Sequence, residues 1–367
     1  LSWLMSDESF FPRYSWLDQF RLRMAYGAAG VQPGATSSLQ TYVPSTVNVN
    51  GTDTPGLRAD ALGNPNLKPE TSAEFEGGFD TQLLHSRVNL ELTYYSKQTK
   101  NALIQLPIAP NAAPSNTSVL ANIASVKNAG VEATLNTQLI DIRQFGWDLT
   151  INASHNTNKV VSLGTNPGTG KPYPTIGTGT TRDSVGLPIN AFFYHTYTYA
   201  DSNHDGYITA NEVTVNPAFT YMGSSATPRD LVSVQNGFDV LDRAFRINIL
   251  LDYKGGYSLP NATGSFYCQQ TNTCYTESNL HAPLWDQARL VALRYAKTST
   301  SVGYLENGQF WRLREVSVVW NLPTRLTRVL RGAEGANLVF SARNLHVWTA
   351  YTGIDPEANY STGEIQN

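Results

Sequence analysis

The sequence predicts an all-β fold, an antiparallel transmembrane β-barrel of which these 367 residues supply a part. Three observations predict it. Apolar and polar residues alternate with period two along many segments, as strands with one greasy and one wet face require. The connections alternate between very short and very long, and aromatic residues gather near the strand ends. Charged residues are only 15% of the chain while Phe, Trp and Tyr reach 11%, a mix suited to strands joined by polar loops rather than to surface helices.

Taken in order, a strand is expected near residues 20–29. In AEFEGGFDTQ, Phe75, Gly77 and Phe79 share one face, and Glu74, Glu76, Asp80 and Gln82 the other. VNLELTYY sets Val88, Leu90, Leu92 and Tyr94 against Asn89, Glu91, Thr93 and Tyr95. GVEATLNTQL does the same with Val131, Ala133, Leu135 and Leu139 against Glu132, Thr134, Asn136 and Gln138. In WDLTINAS, Trp147, Leu149, Ile151 and Ala153 oppose Asp148, Thr150, Asn152 and Ser154. Phe245, Ile247, Ile249, Leu251 and Tyr253 continue the pattern, as do Val316, Val318 and Trp320, then Leu338, Phe340 and Ala342.

A soluble β-sandwich would show the same alternation. The connections decide against it. Residues 84–87 and 241–243 look like tight turns, whereas 30–70, 102–128, 163–230 and 256–307 read as long polar loops rich in Gly and Pro. Several such loops are unusual in a compact soluble domain, while membrane barrels combine short periplasmic turns with long external loops. On that rule, strands near 20–29, 88–99, 147–158, 244–254 and 337–348 run outward. Those near 71–83, 130–141, 231–240 and 310–322 return, giving nine in all. AFFYHTYTYA (191–200) also looks strand-like. Parity allows it to stay within an external loop, and that placement is preferred.

A net charge of −3 without a Lys/Arg cluster argues against nucleic acid as a partner. No apolar stretch is long enough for a membrane-spanning helix. Cys268 and Cys274, in CQQTNTC, suit a small loop disulfide in an oxidising compartment, with free thiols as the alternative; two thiols alone make a poor zinc site. GTNPGTGKP (164–172) has the wrong spacing for a phosphate loop, and Pro172 stands where Ser or Thr is needed. The carboxylates on the strands, such as Glu74, Glu76, Glu91 and Glu132, fit lumen lining better than catalysis, and no nucleophile elbow is present.

DSNHDGYITANE (201–212) matches every specified position of a calcium loop. Ca²⁺ takes about six to eight oxygen ligands. Asp201, Asn203 and Asp205 would supply side-chain oxygens, Tyr207 its carbonyl, Thr209 a hydroxyl or a water, and Glu212 both carboxylate oxygens, with Gly206 making the sharp turn. An Asn/Asp-rich turn of similar composition is the competing reading. The flanks do not look helical, so the loop would act as a structural clip rather than a sensor. Among loop aromatics, Tyr173, Phe192, Phe193, Tyr194, Tyr197, Tyr199 and Tyr257 could stack on sugar rings, although interfacial or loop packing is the preferred role.

Phrases at the strand ends carry a family resemblance. LRMAYGAAG (22–30), GNPNLKPETSAEFEGGFD (63–80), LTYYSKQTKNALI (92–104), NAGVEATL (128–135), DYKGGYSLPN (252–261), GQFWRLREVSVVWNLP (308–323) and ARNLHVWTAYTGIDPE (342–357) together resemble the SusC/RagA type of TonB-dependent outer-membrane transporter. NPNLKPETS is common to the wider superfamily, and the last two phrases are more specific. The resemblance implies the C-terminal portion of a larger barrel, spanning residues 1–367, in the bacterial outer membrane among lipid and lipopolysaccharide. Neither the plug domain nor the TonB-contacting segment of the family occurs in this stretch. It further implies no enzymatic role, but active import of an oligosaccharide or peptide nutrient with a SusD-like lipoprotein and TonB. A surface-exposed adhesive barrel and a secreted glycan-binding β-domain are the rival expectations.

Overall fold

The structure, a computed structural model, describes residues 1–108, 118–166, 169–177, 179–270, 273–279, 281–327 and 335–357. The strands in the first half are β1 (Ser2–Leu4), β2 (Leu17–Val31), β3 (Thr41–Val49), β4 (Thr52–Ala61), β5 (Glu70–Leu83), β6 (Val88–Pro107), β7 (Ser118–Asp141) and β8 (Phe145–Ser162). The second half adds β9 (Thr175–Ile176), β10 (Thr181–Ser184), β11 (Ala191–Tyr199), β12 (Val213–Ser225), β13 (Asp230–Val240) and β14 (Phe245–Gly255). It continues with β15 (Ser258–Pro260), β16 (Leu305–Asn307), β17 (Phe310–Asn321) and β18 (Asn337–Thr349).

Ten of these make one antiparallel wall in the order β1-β2-β5-β6-β7-β8-β13-β14-β17-β18, so spatial neighbours are successive passes of the chain. Directly paired residues lie on one face of a sheet. The register therefore places Trp3, Leu22, Phe79, Leu92, Ala133, Ala153, Val232, Tyr253, Trp311 and Trp348 in a single row that crosses all ten strands. One residue along, on the opposite face, runs Arg21, Asp80, Glu91, Thr134, Asn152, Ser233, Asp252 and Arg312. The alternation read from single segments is thus a property of the whole wall. A slip of one residue would turn an entire strand's apolar set toward water, which pins the register.

Turn chemistry closes the hairpins at one end. Leu84, His85 and Ser86 have φ of 56°, 60° and 60°, and Leu241, Asp242 and Arg243 have 54°, 54° and 64°. Both expected tight turns are therefore real, built from consecutive left-handed residues. Beside them the rings pair across strands: Trp147 with Phe238 (5.9 Å) and Phe245 with Trp320 (5.8 Å).

Three expectations need correction. The wall has a tenth strand, β1, too short for periodicity to reveal. The segment 102–128 is mostly strand: Ala102–Pro107 pair with Ser118–Ala124, extending the β6–β7 hairpin, and residues 109–117 lie outside the described residues. Finally, the long connections are folded. Residues 30–70 hold the β3–β4 hairpin, turned by Asn50 (φ 54°) and Gly51 (φ 83°), the Asn-Gly pair that a two-residue hairpin favours.

The segment 191–200 lies outside the wall, in a second sheet of order β12-β11-β10-β9. Helices α1 (Ala262–Gln269), α2 (Tyr275–Ser278) and α3 (Leu284–Arg294) occupy the 256–307 connection, and α4 (Thr324–Thr327) follows β17. No helix among the described residues is long and apolar enough to cross a membrane. Helix α3 is buried on two sides. Ala288, Val291 and Ala292 pack on Ile208 and Val213, while Leu290 and Leu293 pack with Cys268, Cys274 and Tyr304. The two longest connections therefore share a core of their own.

Candidate functional site

The polar face of the wall is held by paired charges. Arg23 meets Asp80 at 2.7 Å, and Arg246 bridges Asp148 (2.7 Å) and Asp239 (3.2 Å). Glycine makes the second arrangement possible. A Cβ at Gly237 would stand 2.3 Å from both Arg246 Nη2 and Asp148 Oδ2, so only a residue without one lets the arginine reach across the strand.

The densest cluster lies at the end of the wall nearest the loops. After β18 the chain turns back, and Asp355 and Glu357 come down on the polar face of β14 and β17. Arg314 forks onto Glu357 with two contacts of 2.8 Å and donates its Nε to Asp252 at 2.7 Å. Arg312 reaches Asp355 at 2.6 Å and Glu357 at 3.1 Å, and Lys254 adds a third cation at 3.1 Å. The Arg314 hydrogen bond, supported by Lys254, holds the Glu357 carboxyl down at about 2. In the sequence, FWRLREV and GIDPE stand out only as family phrases. Two arginines two residues apart on a polar strand face, followed by a pair of carboxylates, was the missed signal.

The 201–212 loop joins β11 to β12 and is exposed. Gly206 adopts φ 81° at its sharp turn. Asp201 accepts the amides of Asp205 (3.2 Å) and Gly206 (3.1 Å), and Asn203 Oδ1 also accepts Asp205 N at 3.2 Å. Asp205 takes the Tyr207 amide (2.8 Å). Glu212 folds back across the loop to accept Ser202 N, Thr209 N and the Thr209 hydroxyl, each at 2.9 Å. Those bonds, led by the Thr209 amide, keep its carboxyl below the usual range. Among the described residues, no three His, Cys, Asp or Glu side chains form a metal-holding group. The oxygens of Asp201, Asn203, Asp205, Thr209 and Glu212 and the Tyr207 carbonyl occupy one short loop, with amides filling the lone pairs. Gln287 of α3 clamps it, accepting Ile208 N at 2.9 Å and donating to Gly206 O at 3.1 Å.

Cys268 and Cys274 are joined as a disulfide, which ties α1 to α2. Of the loop aromatics, Phe192, Tyr194 and Tyr257 are only 3%, 4% and 6% exposed, so their rings belong to packing. Tyr197 packs on the Ile208 cluster and Tyr173 on Val160 and Leu163. Phe193 and Tyr199 keep accessible rings.

A sequentially ordered antiparallel wall, apolar across one face and charge-paired across the other, is the wall of an outer-membrane β-barrel. The chain belongs to the TonB dependent receptor-like β-barrel family, whose sequence model matches residues 2–267. Within that family it is of the SusC/RagA type. All of this chain aligns with TonB-dependent receptor P26 of Formosa agariphila at 26% identity, covering 39% of that protein. The SusC receptor of Bacteroides thetaiotaomicron is 22% identical over 97% of this chain and 37% of its own length. The solved structure of the RagAB peptide transporter superposes with a TM-score of 0.77 at 21% identity, over 98% of this chain and 40% of that one. The chain thus spans about two-fifths of the length of the relatives it matches. Family membership sets aside the secreted β-domain.

Proposed function

We propose that this chain forms wall and outer loops of a TonB-dependent importer carrying an oligosaccharide or peptide nutrient across the outer membrane. The row of apolar residues crossing all ten strands carries this reading. It would face lipid and, near its outer end, lipopolysaccharide, while the charge-paired face would line the passage. The names of the relatives support import: one is SusC, and a structural neighbour is the RagAB peptide transporter. A SusD-like lipoprotein would cover the loops, and TonB would supply the energy from the inner membrane. The test is uptake of labelled oligosaccharides and peptides by the native host, with and without TonB, together with the chains that copurify from outer membranes. TonB-dependent uptake with a lipoprotein partner is the expected result. Adhesion lost on deletion, with uptake unchanged, would establish the adhesive barrel instead.

We further propose that the 201–212 loop takes Ca²⁺ as a structural clip, with Asp201, Asn203, Asp205, Tyr207, Thr209 and Glu212 as ligands. The complete match of donor types to the calcium-loop pattern supports it. Calcium at about 1 mM, the weak end of extracellular sites, should slow amide exchange across 201–212, and Asp201→Ala should abolish the effect. Equal exchange with calcium and with chelator would leave the loop as an Asn/Asp turn.

A further inference from the structure

We propose that the β9–β12 sheet carries a binding site for an acidic sugar, with Arg182 gripping the carboxylate and a row of rings holding the sugar face. The proposal names a substrate class for the importer and rests on that reading only in placing this sheet outside the membrane.

Alternation on β11 separates two kinds of ring. Phe192 and Tyr194 point into packing, whereas Phe193 and His195 share the opposite, accessible face. Pairing across the hairpin sets Tyr221 beside Phe193 and Phe219 beside His195. Phe193 and Tyr221 have centroids 5.7 Å apart, and His195 and Phe219 4.0 Å. Arg182 reaches onto this row from β10, where it pairs with Ala191. Its guanidinium carbon sits 3.8 Å from the Phe219 centroid and 5.6 Å from that of Phe193. Its Nε donates to Gly179 O at 2.9 Å.

Among the described residues, the two Nη groups of Arg182 have no hydrogen-bond or ion-pair partner. On the polar face of the wall, by contrast, Arg246 and Arg314 are each paired with carboxylates. A guanidinium laid on aromatic rings and fixed through Nε presents its remaining N–H groups as a ready fork for a carboxylate. The support is rigid. His195 Nδ1 donates to Asn216 O at 3.0 Å, and the His195 carbonyl accepts the Thr300 hydroxyl at 2.6 Å, tying β11 to the chain beyond α3.

A sugar ring offers an apolar C–H face to such rings. In a uronic acid the carboxylate is attached directly to the ring, so stacking and the fork are satisfied together without an ordering cost from a flexible stem. A peptide would bring its carboxylate on a rotatable side chain and would find the open edge of β12 a more natural partner. The arrangement therefore favours the acidic sugar.

The experiment is calorimetric titration of the full-length protein in detergent with oligogalacturonate, a neutral oligogalactoside of equal length, and an acidic peptide. Oligogalacturonate should bind, with the neutral sugar about tenfold or more weaker. Arg182→Lys keeps the charge but loses the fork, and should weaken oligogalacturonate roughly tenfold. Phe219→Leu, which removes a ring but not the cation, should weaken both sugars, with circular dichroism showing an intact barrel in each variant. Equal affinity for acidic and neutral sugars, unchanged affinity in Arg182→Lys, preference for the acidic peptide, or no oligogalacturonate binding would each overturn the site. Import itself stands or falls separately, on TonB-dependent uptake.

Discussion

At the scale of single residues, the two-pronged contact of Arg314 on Glu357 decides how the segment after β18 lies. Glu357 is an acid whose folded pKa falls below its unfolded value, to about 2 from an ordinary 4.5. Its stabilisation is therefore complete above about pH 4.5 and fades as pH drops toward 2. Protection factors at residues 353–357, exchange rates corrected for their intrinsic pH dependence, should fall across that window, and Glu357→Gln should reduce that fall. At neutral pH, Arg314→Ala should lower the opening free energy of the segment by about 1 kcal/mol, since the cluster is partly solvent-screened. Protection flat with pH would mean that the segment does not depend on its carboxylate ion pairs. This cluster is only half legible in the sequence: the two arginines share a polar face, but their carboxylate partners are 43 residues away and only the chain's return after β18 brings them together. The 201–212 loop is the opposite case: the hydrogen bonds that Asp201, Asp205 and Glu212 accept all close within twelve consecutive residues.

At the scale of elements, what periodicity could show depended on length and on burial of one face. Strands such as β5, β13 and β14 alternate over ten or more residues and were readable with nearly their observed bounds, whereas β6 was readable only in its first part. β1 has three residues, too few to carry a period. No residue of the β3–β4 hairpin is fully buried, and Pro44 and Pro55 interrupt its strands; the Asn50-Gly51 pair was the clearest signal. Helix α3 was hidden for the converse reason. Being apolar on two sides, it lacks the single stripe that marks an amphipathic helix. Within the wall, β13 depends on Gly237 as much as on its apolar residues. Gly237→Ala should push Arg246 off Asp148 and destabilise the barrel by about 1–3 kcal/mol. Loss of β-structure by circular dichroism during denaturation would measure it, and an unshifted transition would mean that Arg246 finds another path to its carboxylates.

At the scale of the whole molecule, the wall and the loop assembly are stabilised by different physics, and they should come apart experimentally. The wall draws on backbone pairing between long strands, where every strand edge in lipid needs a partner. The loop assembly draws on an ordinary buried core around α3 and on the Cys268–Cys274 link. A ring that small is worth about 2 kcal/mol in the chain-entropy picture. The double substitution Cys268→Ser/Cys274→Ser should therefore raise amide exchange in α1, α2 and α3. It should do the same, more weakly, in the 201–212 loop that Gln287 clamps. Strands β5–β8 should keep their protection. Exchange rising equally in wall and loops would mean the two units unfold as one, and the core around α3 would then be part of the barrel's own stability. Protection lost only at α1 and α2 would instead show that α3 and its glutamine hold the loop without help from the disulfide.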